Sequence, residues 1–266
     1  MKTGIFTPPA VMTNIDALRQ AAEAGYSAFE PFAAYELAMP DVSVAAAIRA
    51  EADRLGIVLP TLSVGIDVTA DGAVEKLKGY ARCAREMGMK YLHHTIYPSL
   101  DPKAAALEFE PMLEKAVKAA REVFDYAADI GVTCIYENQG FIFNGLERYD
   151  AFIDCLDRPA GVVLDMGNIA FVGEEADAFA AKYASRIVHC HVKDYKKCAQ
   201  PADNDFRLCD GSGLRLANIG EGDMKIAESA AILRNAGYEG WFMLECSPIS
   251  DGYAEQKINM DRLMKL

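Results

Sequence analysis

Apolar positions along the chain follow two rhythms. Short runs rich in Val, Ile, Tyr and Phe have the length of a strand, and they alternate with longer stretches whose apolar residues recur at the period of an amphipathic helix. Eight strand-length runs are legible, at 3–6, 26–30, 57–64, 91–95, 132–136, 161–164, 187–194 and 241–244. The helical period predicts helices from Thr13 or Asn14 to Ala24, over 42–55, 72–87 and 103–129, and a closing helix over 253–264. Pro111 marks the start of the long fourth helix or a kink in it. Gly25, Gly56, Gly88 and Gly131 stand where helices should stop.

Strands separated by helices cannot pair through hairpins, so parallel neighbours joined by right-handed crossovers follow. Eight such units close on themselves without leaving an edge. The sequence therefore predicts an α/β protein with one domain over 1–266, a (β/α)₈ barrel. A doubly wound open sheet ranks second, because no GxGxxG turn follows the first strand.

Composition narrows the partners. With 52% apolar and 25% charged residues and no Pro-rich, Ser/Gly or charge-block segment, no linker divides the chain. A net charge of -12 argues against a general nucleic-acid binder, which needs surplus Lys and Arg for phosphate. The first residues lack the apolar core of a secretion signal, and no apolar run is long enough to span a membrane. Seven cysteines, odd in number and without a CxxC pair, read as reduced thiols. A cytoplasmic protein acting on a small molecule is expected.

The seventh run ends in His189-Cys190-His191-Val192-Lys193-Asp194. Residues two apart on a strand share a face, so His189 and His191 point the same way, with His191 nearer the carboxyl end, where parallel α/β folds carry their chemistry. Glu137, Asp165 and Glu245 follow the fifth, sixth and eighth runs at the equivalent level. Four consecutive staves thus bring three carboxylates and one imidazole to one mouth. Gathered carboxylates repel one another, and a divalent cation is the natural compensation. Such a hard donor set suits Mn²⁺, placed first, with Mg²⁺, Co²⁺ or Zn²⁺ as alternatives.

These residues carry a resemblance. Glu137 in Tyr-Glu-Asn, Asp165 in Leu-Asp-Met-Gly-Asn, His191 in His-Val-Lys-Asp, the Gly220-Glu221-Gly222-Asp223 turn and Glu245 in Leu-Glu-Cys resemble the xylose-isomerase-like TIM barrels, over nearly the whole chain. That superfamily includes sugar and sugar-phosphate isomerases and epimerases, inosose dehydratases and, more distantly, endonuclease IV. The resemblance implies one divalent ion held by Glu137, Asp165, His191 and Glu245, with Glu137 and Glu245 also serving as the acid/base pair, as in ketose epimerases. It further implies a substrate-contacting or metal-supporting role for Glu30, and association of copies of the chain is a family expectation. Free-ketose branches carry His three residues after the sixth-strand Asp; Asn168 stands there instead, able to donate a hydrogen bond but not to carry a proton.

Weaker candidates surround this set. His93 and His94 end the fourth strand on alternate faces, and His94, nearer the carboxyl end, is the substrate-binding candidate. Lys193 shares the face of His191 one step further out, over the substrate, whereas His189 lies one layer deeper in a supporting part. The polar segment 195–219, with Lys196, Lys197, Arg207 and Arg215, has the length of a lid, and Lys193 and Arg215 are the candidates to neutralise a substrate phosphate or carboxylate. Phe6, Phe32, Phe141 and Trp241 are candidates for a pocket wall or for core packing.

The leading expectation is a metal-dependent isomerase or epimerase of a small sugar, sugar phosphate or keto-polyol. The alternative is a lyase, an inosose-type dehydratase or glycoside-eliminating enzyme, sharing the same first deprotonation. An endonuclease IV-like repair activity would need a His-rich metal cluster and a cationic groove, which four histidines and the acidic charge do not supply. A non-enzymatic binding barrel would hold its ligand with or without metal.

Overall fold

The computed structural model describes residues 1–6, 12–245, 253 and 256–266. Cys246 and part of the expected closing helix lie outside the described residues. The barrel staves are β1 (Lys2–Phe6), β2 (Phe29–Glu30), β3 (Thr61–Val64), β4 (Tyr91–His94), β5 (Thr133–Glu137), β6 (Gly161–Asp165) and β7 (Ile187–Val192). Three further strands follow, β8 (Asp194–Cys198), β9 (Phe206–Arg207) and β10 (Gly213–Ala217), before the last stave β11 (Trp241–Glu245). The staves pair in parallel in the order β2-β1-β11-β7-β6-β5-β4-β3. Parallel bridges Ala28 to Val58 and Phe32 to Ser63 join β2 to β3 and close the ring.

Helices α1 (Asn14–Glu23), α2 (Val42–Leu55), α3 (Ala73–Glu86), α4 (Phe109–Asp129), α5 (Leu146–Leu156), α6 (Ala176–Tyr183), α7 (Ile226–Asn235) and α8 (Lys257–Leu263) follow the staves in turn. This is the expected (β/α)₈ barrel in one domain, and among the described residues no helix is long and apolar enough to cross a membrane. Local chemistry sets the helix ends. Asp41 caps α2 by accepting from the amides of Ser43 and Val44, and Gly56 ends it at a φ of 69°, a left-handed conformation that glycine adopts without a Cβ clash. Pro111 sits in the first turn of α4, which starts the helix and does not kink it.

The core lies in two shells. The larger, between staves and helices, holds residues such as Phe29, Tyr80, Phe152, Phe179 and Phe242, all buried. A small plug of Phe6, Ala28 and Met243 fills the barrel itself. Gly4 belongs to this inner layer because a Cβ there would lie 2.7 Å from the Met243 methyl and 2.8 Å from Ala28.

Two expectations are refined. The third strand starts at Thr61, after Pro60, whose missing N–H cannot join the ladder. The segment 195–219 is a three-stranded antiparallel sheet, β8-β10-β9, where a loop was expected. Its reason is visible in Gly213-Leu214-Arg215-Leu216: Leu214 is buried while Arg215 faces outward, a period of two. Asp194 anchors this excursion. Its buried carboxylate accepts from the amides of Gly220, Gly222 and Met224 at 2.8, 3.0 and 3.2 Å. Gly222 allows the approach, since a Cβ there would overlap the carboxylate.

Replacing Asp194 by Ala leaves those amides without their charged acceptor and should cost about 2–4 kcal/mol. Urea unfolding followed by circular dichroism measures it; an unchanged midpoint would contradict the anchoring role.

Candidate functional site

At the carboxyl end of the staves, inward-facing side chains converge. Register fixes who faces in: Asp165 pairs with His191, Glu137 with Val163, and Phe6 with Glu245 in the parallel ladders. Ligand-type atoms of Glu137, Asp165, His191 and Glu245 all lie within 4.8 Å of one another. His191 Nδ1 is 2.9 Å from Glu137 Oε1 and 3.4 Å from Glu245 Oε2. The first three residues are buried, and Glu245 retains 17% side-chain exposure where the mouth opens. Above them is a cavity of about 360 Å³ whose lining includes Phe6, Phe32, His93, Glu137, Gln139 and Glu245.

The loops after the staves hold these side chains. Asp165 Oδ1 accepts from the amides of Gly167 and Asn168 at 2.8 and 2.7 Å, leaving Oδ2 aimed at the cluster. Asn138 bonds both the amide and the carbonyl of Asp165, at 2.9 and 3.0 Å, continuing the β5–β6 ladder with a side chain. The Phe6 ring stacks on His191, centroids 4.6 Å apart and planes at 15°.

Glu30 stands underneath. Both its oxygens are 3.2 Å from His191 Nε2, and it also reaches His189 Nε2 at 2.7 Å and accepts from Ser63 Oγ at 2.5 Å. Ser63 in turn contacts His93 Nδ1 at 2.6 Å. A carboxylate on the far nitrogen fixes an imidazole's orientation and leaves Nδ1 to face the mouth. Glu30, His93 and His191 form a second group with ligand-type atoms within 4.8 Å, but the hydrogen bonds through Ser63 already engage it.

Electrostatics follow the crowding. Burial alone would raise the Glu30 carboxyl, but His189 and His191 outweigh it and hold it well below the usual carboxylate range. Burial likewise opposes ionisation of Glu137, and His191 and His93 pull it well below. Asp165 goes the other way: burial pushes it well above its ordinary range against the pull of the Lys193 ammonium, and repulsion from Glu245 and Glu137 adds to the rise. Burial disfavours the His191 imidazolium, yet Glu30 and Glu137 raise its pKa well above normal. Asp165 Oδ2 and Glu245 Oε2 are buried and make no hydrogen bond among the described residues, their charged neighbours being Lys193 Nζ at 2.9 Å and His191 Nδ1 at 3.4 Å. Two such oxygens, a third carboxylate and an imidazole nitrogen fit a hard divalent cation.

The other expected residues are placed as follows. Lys193 enters the cluster, with Nζ 2.9 Å from Asp165 Oδ2 and 2.8 Å from Glu245 Oε1. Asn168, three residues after Asp165, is buried, with Nδ2 lacking a hydrogen-bond partner among the described residues. His94 faces away from the mouth onto Tyr136, ring centroids 4.9 Å apart, and burial lowers its pKa to about 4. His93 takes the inward position because Ser63 and His93 are register partners on β3 and β4. Arg215 is exposed and forms a bidentate pair with Asp205 at 2.9 and 2.7 Å, although it lines a second cavity beside Lys193 and Glu245. Phe6 and Phe32 line the mouth, Phe141 packs on Phe171 at 5.6 Å, and Trp241 lines a cavity at the opposite end of the barrel. Sequence reasoning missed Ser63 and Gln139; Gln139, with Oε1 buried and unpartnered among the described residues, was signalled by its place two residues after Glu137.

A family model described as "Xylose isomerase-like TIM barrel" matches residues 18–263. Inosose dehydratase from Clostridium perfringens is 27% identical over 124 residues, 45% of this chain and 42% of that protein. The chain spans less than half the length of the curated relatives it matches. The crystal structure of 3-keto-D-glucoside 4-epimerase from E. coli superposes with a TM-score of 0.74 at 16% identity, covering 100% of both chains. A xylose isomerase-like TIM barrel protein from Mycobacterium smegmatis in complex with magnesium gives 0.74 at 18% identity, covering 94% of this chain and 87% of that one. At these identities the shared property is the fold.

Replacing Glu30 by Gln keeps the shape but removes the charge that orients His191. Affinity for Mn²⁺ should fall by roughly 10–100-fold in isothermal titration calorimetry. Unchanged affinity would show that the Glu30 charge does not govern metal binding through His191.

Proposed function

The chain belongs to the xylose isomerase-like TIM barrel family, and on that premise we propose that it is a metal-dependent isomerase or epimerase of a small sugar, sugar phosphate or related keto-polyol. The observation that carries this reading is the convergence of Glu137, Asp165, His191 and Glu245 within 4.8 Å under an open cavity. Glu137, Asp165, His191 Nδ1 and Glu245 would hold the ion, with Mn²⁺ preferred on donor chemistry and Mg²⁺, Co²⁺ or Zn²⁺ as alternatives. When bound, a divalent ion polarises a substrate carbonyl and stabilises the charge that develops as the neighbouring C–H is deprotonated.

The protein's own groups do the rest. Glu137 and Glu245 sit on staves separated by β6 and β7, so they approach a substrate in the mouth from different sides. One carboxylate removes the proton and the other returns one to the opposite face, which inverts the carbon. Return by the same group to the adjacent carbon gives isomerisation. His93 and Gln139, on the cavity wall, are placed to bond substrate hydroxyls, and Phe6 and Phe32 give it an apolar flank that excludes water. Asn168 completes the proposed substrate-facing set, whereas Glu30 supports His191 from below.

The inosose dehydratase relatives support a second reading. Elimination of water begins with the same proton abstraction and then expels a hydroxyl from the next carbon. Incubating the Mn²⁺-supplemented protein with ketoses, their phosphates and inososes in D₂O, read by NMR and mass spectrometry, separates the two: exchange without mass loss marks an isomerase or epimerase, and loss of water marks a lyase. Glu137→Gln and Glu245→Gln should each lower exchange by on the order of 10²–10⁴-fold. Full exchange in both variants would sink the proposal.

A further inference from the structure

The proposed ion accounts for the orphaned oxygens but leaves a second cation in the same cluster. Lys193 is only 7% exposed, and its ammonium lies 2.8 Å from Glu245 Oε1 and 2.9 Å from Asp165 Oδ2. Those acceptors belong to two of the four proposed ligands, carried by β11 and β6, the staves that flank β7. Lysine stems normally run along a surface toward water. This one is held inward: a Cβ on Gly167 would come within 2.5 Å of Lys193 Cγ and 2.8 Å of Tyr195 Cε2, so the absent side chain of Gly167 makes the channel in which the stem lies. Tyr195 is itself buried and packs on Phe171 and Phe206, ring centroids 6.1 and 5.6 Å away, so the wall behind the stem is built from the β8–β10 sheet.

We propose that Lys193 is the resident counter-ion of this centre, a positioning residue that shares Asp165 and Glu245 with the divalent ion and sets how tightly that ion is held. The inference rests on the metal reading above. Three carboxylates exceed the charge of a divalent ion by one, and the ammonium supplies the difference. Its positive charge draws on the same oxygens as the metal, so it weakens metal binding while keeping Glu245 in place. A lysine reserved for a substrate anion would touch neither ligand and would leave metal affinity alone.

The test uses chelator-stripped wild type, Lys193→Gln and Lys193→Arg, titrated calorimetrically with MnCl₂ and melted with and without Mn²⁺. Lys193→Gln should bind Mn²⁺ about tenfold or more tightly than wild type, because a like charge is removed from beside the ion. Lys193→Arg, which keeps the charge, should stay within about threefold of wild type on the same electrostatic ground. Without Mn²⁺, Lys193→Gln should melt at a lower temperature than wild type and recover when the ion is added. If Lys193→Gln can be purified only with Mn²⁺ bound, release of the ion to excess chelator should be slower than from wild type. Equal or weaker Mn²⁺ affinity in Lys193→Gln, or equal or faster release, overturns the counter-ion role while leaving the metal site intact. Failure of wild type to bind Mn²⁺ overturns the metal reading itself.

Discussion

Four carboxylates, Glu30, Glu137, Asp165 and Glu245, meet at one end of a buried barrel, and the site depends on how that charge is neutralised. Burying an ionised carboxylate without a partner is costly, so each must find positive charge or hydrogen-bond donors. Glu30 has two imidazoles and a serine hydroxyl, and Glu137 has His191 and the neighbouring His93. Glu245 has the Lys193 ammonium. Asp165 shares that ammonium and is still left short: one oxygen is satisfied by backbone amides, while the other lies 2.9 Å from Lys193 Nζ, and burial, with repulsion from Glu245 and Glu137, pushes the carboxyl toward protonation. The cluster is therefore most in deficit at the oxygen that faces the other ligand atoms.

The fold makes this deficit reproducible. Side chains alternate along each stave, so a shift of one residue in any ladder would turn a ligand away from the mouth. The ladders oppose that shift with particular bonds. Asn138 ties the end of β5 to Asp165 on β6, and Asp194 ties the end of β7 to the 220–224 turn. Phe6 lies flat on His191 from β1, closing the ring of support from the side opposite Glu137. Tight packing at the outlet and hydrogen bonds below it leave the imidazole one orientation, with Nε2 on Glu30 and Nδ1 toward the carboxylates.

The barrel and its four-residue centre were legible because they depend on patterns local to each segment: strand-length apolar runs, helical periods and an acid or histidine at the strand end. What depends on register between segments was not. His93 and His94 look equivalent in sequence, and the strand-end position favours His94, yet pairing of β4 with Ser63 on β3 turns His93 inward. Ser63 looks like any buried strand hydroxyl, and nothing nearby announces that it bridges Glu30 to His93. Arg215 reads as a free cation on a polar segment, but Asp205, ten residues earlier and just before β9, holds it. Glu30 was legible as part of the site; its hydrogen-bond partners came from two other staves, β3 and β7, and they decide that it supports His191 from below.

Glu137, Asp165, His191 and Glu245 are proposed to hold one divalent ion. Anomalous diffraction from crystals soaked in MnCl₂ tests it without reference to any substrate. A single strong Mn²⁺ peak within bonding distance of those four side chains is expected. A peak instead among Glu30, His93 and His191, or no peak at the barrel mouth, would contradict it.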